Sequence, residues 1–384
     1  MYFLTYENDE GLFPLSDKLD NLINTFKLSL LMKGILLHGG SGTRLRPLTY
    51  TDVKQLLPIA GKPISEYALE NLIEVGINEI NIVIGSIGGD EVKKYYGDGS
   101  KWNIKITYTY QDKPLGIAHA IGMTKDFVKD DKFIVFLGDN YLQDGILKLY
   151  QDFISKKYDA MIALVPVTNP SQFGIAEIEN GRITRLVEKP KEPKSNLAIT
   201  GVYFLSPNIF DVISSLKPSG RNEYEITEAY QEMIIKGKKV GYSIINGWFK
   251  DTGTVSDFLD CNRLVLDKMK GNQKREDSKI SGRVYLGENV KLLENTSILG
   301  PCYIGPNTQI KDSYIGPFTS IGANCNIENV EIENSIIMDD TNIKMPDEIR
   351  IGESLIGSKT SIRPSKSRPR TMKLVLGRES KLEL

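Results

Sequence analysis

Histidine is almost missing. His38 and His119 are the two in 384 residues, and both fall in the first third. A histidine general base in the second half of the chain is thereby excluded. Cysteine is scarce as well. Cys261, Cys302 and Cys325 form no CxxC pair, so neither a disulfide framework nor a zinc site is indicated, and a cytoplasmic setting is expected. No run of about 18 uninterrupted apolar residues occurs, so neither a membrane span nor a membrane partner is expected. Charge of one sign is not in excess either: 48 basic against 49 acidic residues leave a formal net charge of -1. That excludes a bulk basic field for nucleic acid. Any phosphate ligand must be held by a few placed residues.

What is present suggests two domains, since 384 residues exceed one ordinary core. Residues 1–31 stand apart as an N-terminal extension of unknown role. Leu19 to Leu31 has an amphipathic helical pattern, but Glu7, Asp9 and Glu10 occupy the region that a signal peptide keeps basic. Residues 32–271 read as a catalytic domain. Ile35 to Leu37, Ile80 to Gly85 and Phe133 to Leu137 are apolar strands, and Ile64 to Val75 has helical spacing that stops at Gly76. Strands alternating with helices predict βαβ units, a mainly parallel sheet, and ligands outside the carboxyl ends of the strands.

Residues 272–384 change character after the charged stretch Asn272 to Asp277. Aliphatic residues recur every sixth position at Ile280, Leu286, Leu292, Ile298, Ile304 and Ile310. The beat slips by one, then resumes at Ile315, Ile321 and Ile327. This hexapeptide repeat predicts a parallel β-helix. Flat faces and exposed coil ends make a homo-oligomer the expectation. The basic, proline-containing stretch from Arg363 to Arg370 and the strand-like piece from Met372 to Leu376 fit a cap, an oligomer contact or a solvated tail.

Three motifs can carry chemistry. Gly39 and Gly40 open a glycine loop that ends at Arg46-Pro47 and follows a strand directly. Consecutive backbone N–H groups in such a loop cradle phosphate. No Gly-Lys-Ser/Thr closes it, so it is not a P-loop, and it lacks the third glycine of GxGxxG. Arg44 and Lys54 beside it suit a triphosphate; a glycine turn with surface cations is the plainer alternative. Asp139, at the end of a buried strand, and Asp251, in a Gly/Thr-rich turn, are candidates for Mg²⁺. An N-cap role for Asp139 competes. Glu188 and Lys189, flanked by prolines on a stiffened segment, could meet a sugar phosphate or form a solvated loop.

Together these segments resemble the sugar nucleotidyltransferases. Gly39 to Thr49, Lys54-Gln55-Leu56-Leu57-Pro58 and Lys62-Pro63 look like their signature. Gln111 to Ala120, Gly138-Asp139-Asn140, Phe173 to Glu177, Val187 to Pro190, Ala198 to Phe204, Glu225 to Thr227 and Trp248 to Thr254 follow in order. The Lys-Gln-Leu-Leu-Pro form is similar to that of glucose-1-phosphate thymidylyltransferases. The resemblance implies a Rossmann-like nucleotidyltransferase domain with a mainly parallel mixed sheet, followed by a left-handed β-helix. It also implies residue roles. Leu37, Gly39, Gly40, Thr43, Arg44, Lys54 and Asp139 would hold the nucleotide, with Gln111 and Gly116 reading the base. Asp139 and Asp251 would bind Mg²⁺. Asn140, Gly174, Glu188, Lys189, Ile199 and Tyr203 would line the sugar phosphate pocket. Arg44, Lys54, Lys189, Asp139 and Asp251 would be catalytic. His38 is a departure, because the family usually has alanine there.

The implied reaction joins dTTP and glucose 1-phosphate into dTDP-glucose and diphosphate. Its nucleophile is already an anion, so it needs no general base, which agrees with the lack of histidine. UTP, or an N-acetylglucosamine 1-phosphate substrate, would use the same chemistry. A non-catalytic regulatory subunit is the alternative of another class. Acyl transfer on the β-helix is disfavoured, since no histidine follows His119.

Overall fold

The computed structural model describes residues 32–40, 42–245, 247–272 and 279–363. Residues 1–31, the charged stretch after Asn272 and the tail beyond Arg363 lie outside the described residues.

The strands of three or more residues in the first domain are, in chain order, β1 (Met32–His38), β2 (Glu79–Ile84), β3 (Lys105–Tyr110), β4 (Lys132–Leu137), β5 (Asn140–Leu142), β6 (Ala160–Pro166), β7 (Gly174–Glu179), β8 (Arg182–Glu188), β9 (Leu197–Leu205), β10 (Val240–Ile244) and β11 (Phe249–Asp251). Nine of them form one sheet, with spine order β3-β2-β1-β4-β9-β6-β10 and the β7–β8 hairpin against the start of β9. The half from β3 to β4 is parallel, as is the β6–β10 pair. Strand β9 runs against both β4 and β6. It therefore brings its own beginning to the carboxyl ends of β1 and β4. Strands β5 and β11 form a separate antiparallel pair that sets Asn140 opposite Asp251.

The centre of strand β1, Ile35 to Leu37, is apolar because it is covered on both faces. Leu36 joins a core with Ile82, Phe136 and helix α1 (Ile64–Glu74). Ile35 and Leu37 join another with Val83, Val135 and helix α2 (Ile226–Ile235). Helix α1 buries Ile64, Ala68, Leu69 and Leu72 on one face. It ends at Gly76, whose φ of 86° permits two closing bonds: Ile77 N donates to Leu72 O at 3.2 Å and Gly76 N to Ile73 O at 2.8 Å.

The second domain is rich in short parallel strands. Ile280 pairs with Ile298 and Ile298 with Ile315, a step one residue shorter, which accounts for the slip in the beat. Ile298, Ile304, Ile310, Ile315, Ile321 and Ile327 are all buried in one core. Helix α3 (Val255–Lys268) joins the domains. Its Phe258, Leu259 and Leu266 share an apolar cluster with Leu57, Ile59 and Ile64 on one side and Ile336 and Met338 on the other. Its buried Asn262 accepts from Ala60 N at 2.9 Å and Ser320 Oγ at 2.7 Å, and donates to Phe318 O at 3.0 Å. Among the described residues no helix is long and apolar enough to cross a membrane.

Candidate active site

A cleft of about 380 Å³ opens at the carboxyl ends of β1 and β4, where the strand order reverses. Leu37, Gly39, Gly40, Gln111, Gly116, Asp139, Gly174, Glu188, Lys189, Ile199, Tyr203 and Asp251 all line it. Thr43, Arg44, Lys54 and Asn140 do not lie on its wall. A larger hollow of about 460 Å³ at the seam between the domains carries Asp52, Glu91 and Asp339 and no cationic side chain, so it is unsuited to phosphate.

The glycine loop is tied down from outside. Gln55 Nε2 donates to Gly39 O at 2.7 Å, and Thr49 Oγ1 donates to Gly42 O at 2.7 Å. The turn at Thr43–Leu45 follows. Arg44 packs its guanidinium against Gly253, where a Cβ would come within 2.7 Å of it. A side chain at position 253 would therefore displace the arginine from the neighbourhood of Asp251.

Lys54 sits behind the two aspartates with 9% of its side chain exposed. Its Nζ is 2.6 Å from Asp139 Oδ2 and 3.6 Å from Asp251 Oδ1. The carboxylates converge because β5 and β11 pair, and because Thr252 binds Asp139 twice: its N–H donates to Asp139 O at 3.1 Å and its Oγ1 at 2.8 Å. Burial pushes the Asp251 carboxyl above its usual range, and the Asp139 charge pushes it further; Lys54 and Arg44 oppose this. Two hard oxygen donors short of positive charge fit Mg²⁺, which takes one or two carboxylates and completes its shell with water and substrate phosphate. Among the described residues no group of three or more His, Cys, Asp or Glu forms a closed metal cage.

Asn140, expected in the sugar pocket, lies beneath it. Its Nδ2 donates to Asp139 Oδ1 at 2.8 Å, and its Oδ1 accepts from Gly201 N at 3.1 Å. Gly201 belongs to an irregular stretch of β9 between Ile199 and Tyr203. A side chain there would collide with the Asn140 amide. So Asn140 orients the aspartate rather than facing the cleft.

Across the cleft stand Glu188 and Lys189. Lys189 has φ 42°, uncommon for a residue with a side chain, and its N–H donates to Phe173 O at 3.0 Å. Burial and the neighbouring Glu225 raise the Glu188 carboxyl above its ordinary value. Sequence reasoning missed Arg221. It lines the cleft, donates to Glu188 Oε1 at 3.3 Å and holds Glu225 at 2.8 Å. Its one sequence cue is the i,i+4 spacing to Glu225, which is common to many exposed pairs.

His38 faces away from this cleft. It is buried beside Tyr96, ring centroids 5.6 Å apart, and neither ring nitrogen has a hydrogen-bond partner. Burial lowers its pKa from 6.5 to about 3. Its folded pKa lies below the unfolded one, so stability is lost as pH falls below about 6.5, down to about 3. At pH 5 this one group removes about 2 kcal/mol relative to neutral pH. His38→Ala is expected to shrink the fall in urea midpoint between pH 7 and pH 5; an identical fall in both proteins would contradict this.

The fold, the glycine loop and the paired aspartates define a phosphate-handling enzyme, and comparison gives the class. The nucleotidyl transferase family model matches residues 33–268, and the GMPPB C-terminal domain model matches residues 298–381. The chain belongs to the nucleotidyl transferase family and is an enzyme of that kind. Its relatives narrow the resemblance. It is 42% identical over 358 residues to glucose-1-phosphate thymidylyltransferase of Streptomyces antibioticus, covering 92% of this chain and 99% of that protein. It is 44% identical over 360 residues to low-salt glycan biosynthesis nucleotidyltransferase Agl11 of Haloferax volcanii, covering 92% and 100%. It also matches a crystal structure from Bacillus anthracis, of a protein assigned as a glucose-1-phosphate thymidylyltransferase and complexed with a sucrose. There the TM-score is 0.59 and the identity 39%, covering 63% of this chain and 98% of that one.

Proposed function

We propose that this chain transfers a thymidylyl group from dTTP to α-D-glucose 1-phosphate, with Mg²⁺, forming dTDP-glucose and diphosphate. The observation that carries the reading is Lys54 set behind Asp139 and Asp251 in a cleft with the glycine loop on one side and Lys189 on the other. The 42% identity to a thymidylyltransferase supports the choice of base and sugar.

In this reading an oxygen of the sugar phosphate forms a bond to the α-phosphorus of the triphosphate. The bond from that phosphorus to the bridging oxygen breaks, and diphosphate leaves with the electron pair. No proton need be removed. Two anions must be held in line, so catalysis is positioning and electrostatics. The loop N–H groups and Arg44 take the triphosphate, Lys189 and Arg221 take the sugar phosphate, and Glu188 accepts from a sugar hydroxyl. Mg²⁺ held by Asp139 and Asp251 would neutralise phosphate charge. We further assign residues 32–271 to the catalytic domain and 272–384 to a left-handed β-helix domain with a C-terminal tail, and place the protein as a homo-oligomer in the cytoplasm.

Diphosphate release with glucose 1-phosphate, compared across dTTP, UTP, ATP and GTP, tests this, followed by N-acetylglucosamine 1-phosphate. Preference for dTTP and glucose 1-phosphate is expected. Preference for another pair would change the substrates and keep the chemistry. Silence with every pair would point to a regulatory subunit.

A further inference from the structure

Gln111 is held from behind. Its Nε2 lies 2.9 Å from His119 Nδ1. With the amide turned this way its nitrogen can only donate, which requires Nδ1 as the acceptor and the imidazole proton on Nε2. The amide oxygen is thereby left facing the glycine loop: a Cβ on Gly39 would lie 3.6 Å from Gln111 Oε1. His119 is itself fixed. Its ring stacks on Tyr224, with centroids 6.0 Å apart and planes at 26°. Tyr224 is bound to the same segment, since its N–H donates to Leu115 O at 2.8 Å and its carbonyl accepts from Ala118 N at 3.2 Å. Gly116, between them, has φ 102° and no room for a Cβ, which would fall 2.6 Å from the Tyr224 carbonyl oxygen.

A glutamine amide left to itself can turn end for end, exchanging acceptor for donor. We propose that His119 is a positioning residue for base selection. By accepting from the Gln111 amide it presents the Gln111 oxygen to the base. The cleft then takes a nucleoside triphosphate whose ring offers an N–H at that point, as thymine and uracil do. It rejects cytosine, whose ring nitrogen there is an acceptor and would meet the amide oxygen lone pair to lone pair. This rests on the assignment of Gln111 to the base made above.

The test is kcat/KM for dTTP and for dCTP, by diphosphate release, in the wild type, Gln111→Ala, His119→Phe and His119→Gln. Phenylalanine keeps the stack on Tyr224 and removes the acceptor; glutamine restores one. The dTTP-over-dCTP ratio is expected to fall roughly threefold to tenfold in His119→Phe. The change should come from a higher KM for dTTP rather than from kcat, and should return in large part in His119→Gln. If the ratio shifts in Gln111→Ala but holds in His119→Phe, or if His119→Gln is no better than His119→Phe, the inference is overturned. If Gln111→Ala itself leaves the ratio unchanged, Gln111 does not read the base, and it is the underlying assignment that fails.

Discussion

Asp251→Asn is expected to lower kcat about 10²–10³-fold, on the order of 3–4 kcal/mol, while the protein folds normally. The substitution keeps the shape of the side chain and leaves untouched the backbone pairing of Asp251 with Asn140. It also removes the crowding with Asp139, which already pushes the Asp251 carboxyl up. Stability should therefore stay level or rise slightly. What disappears is one of two anionic oxygens available to a cation, so activity should also demand more Mg²⁺. Steady-state diphosphate release across a Mg²⁺ titration, beside a thermal melt, separates these effects. A variant with near-normal turnover and an unchanged Mg²⁺ requirement would take Asp251 out of the catalytic assignment.

Lys54→Met should damage both rate and stability. The ammonium lies within 4 Å of both carboxylates, and it is the more deeply buried partner. Without it, Asp139 and Asp251 repel each other with no buried cation between them. Breaking a fully buried pair costs about 3–5 kcal/mol. Asp139 keeps 20% of its side chain exposed and Asp251 36%, so solvent screens part of this and about 1–2 kcal/mol is the better expectation. Turnover should fall about 10³-fold, since the cation that holds Asp139 and Asp251 together behind the cleft is lost. The sign of the pH dependence follows. Removing Lys54 lifts the Asp251 carboxyl further above its unfolded value, so the variant loses stability as pH rises from the ordinary aspartate range through that raised value. Urea midpoints should show a larger deficit at pH 8 than at pH 4, near the ordinary aspartate value. An equal deficit at both would mean that repulsion between the aspartates is not its cause.

Much of the fold is legible in short stretches of the chain. The apolar run of β1 and the helical spacing that ends at Gly76 are local patterns that sit in the structure where the pattern places them, and the aliphatic positions from Ile298 to Ile327 fall in one buried core. The glycine loop and the strand-end position of Asp139 are legible for the same reason. A glycine turn and a strand terminus are both properties of a few adjacent residues.

Other features are invisible at that level because they depend on residues far apart in the chain. Asn140 follows Asp139 directly, yet its place under the cleft depends on the irregularity in β9 that brings Gly201 to its amide. Arg221 meets Glu188 only because the fold brings together two residues 33 positions apart in the chain. His119 reads as one polar residue in a helical turn until Gln111 and Tyr224 close around it. The order of residues alone dictates the elements, the kind of enzyme and the inventory of charged groups, because periodicity and motif chemistry are written in short stretches. Which charge faces which is settled by the folded chain, since side-chain electrostatics and hydrogen bonding act over a few ångströms and the fold alone brings residues so distant in sequence that close.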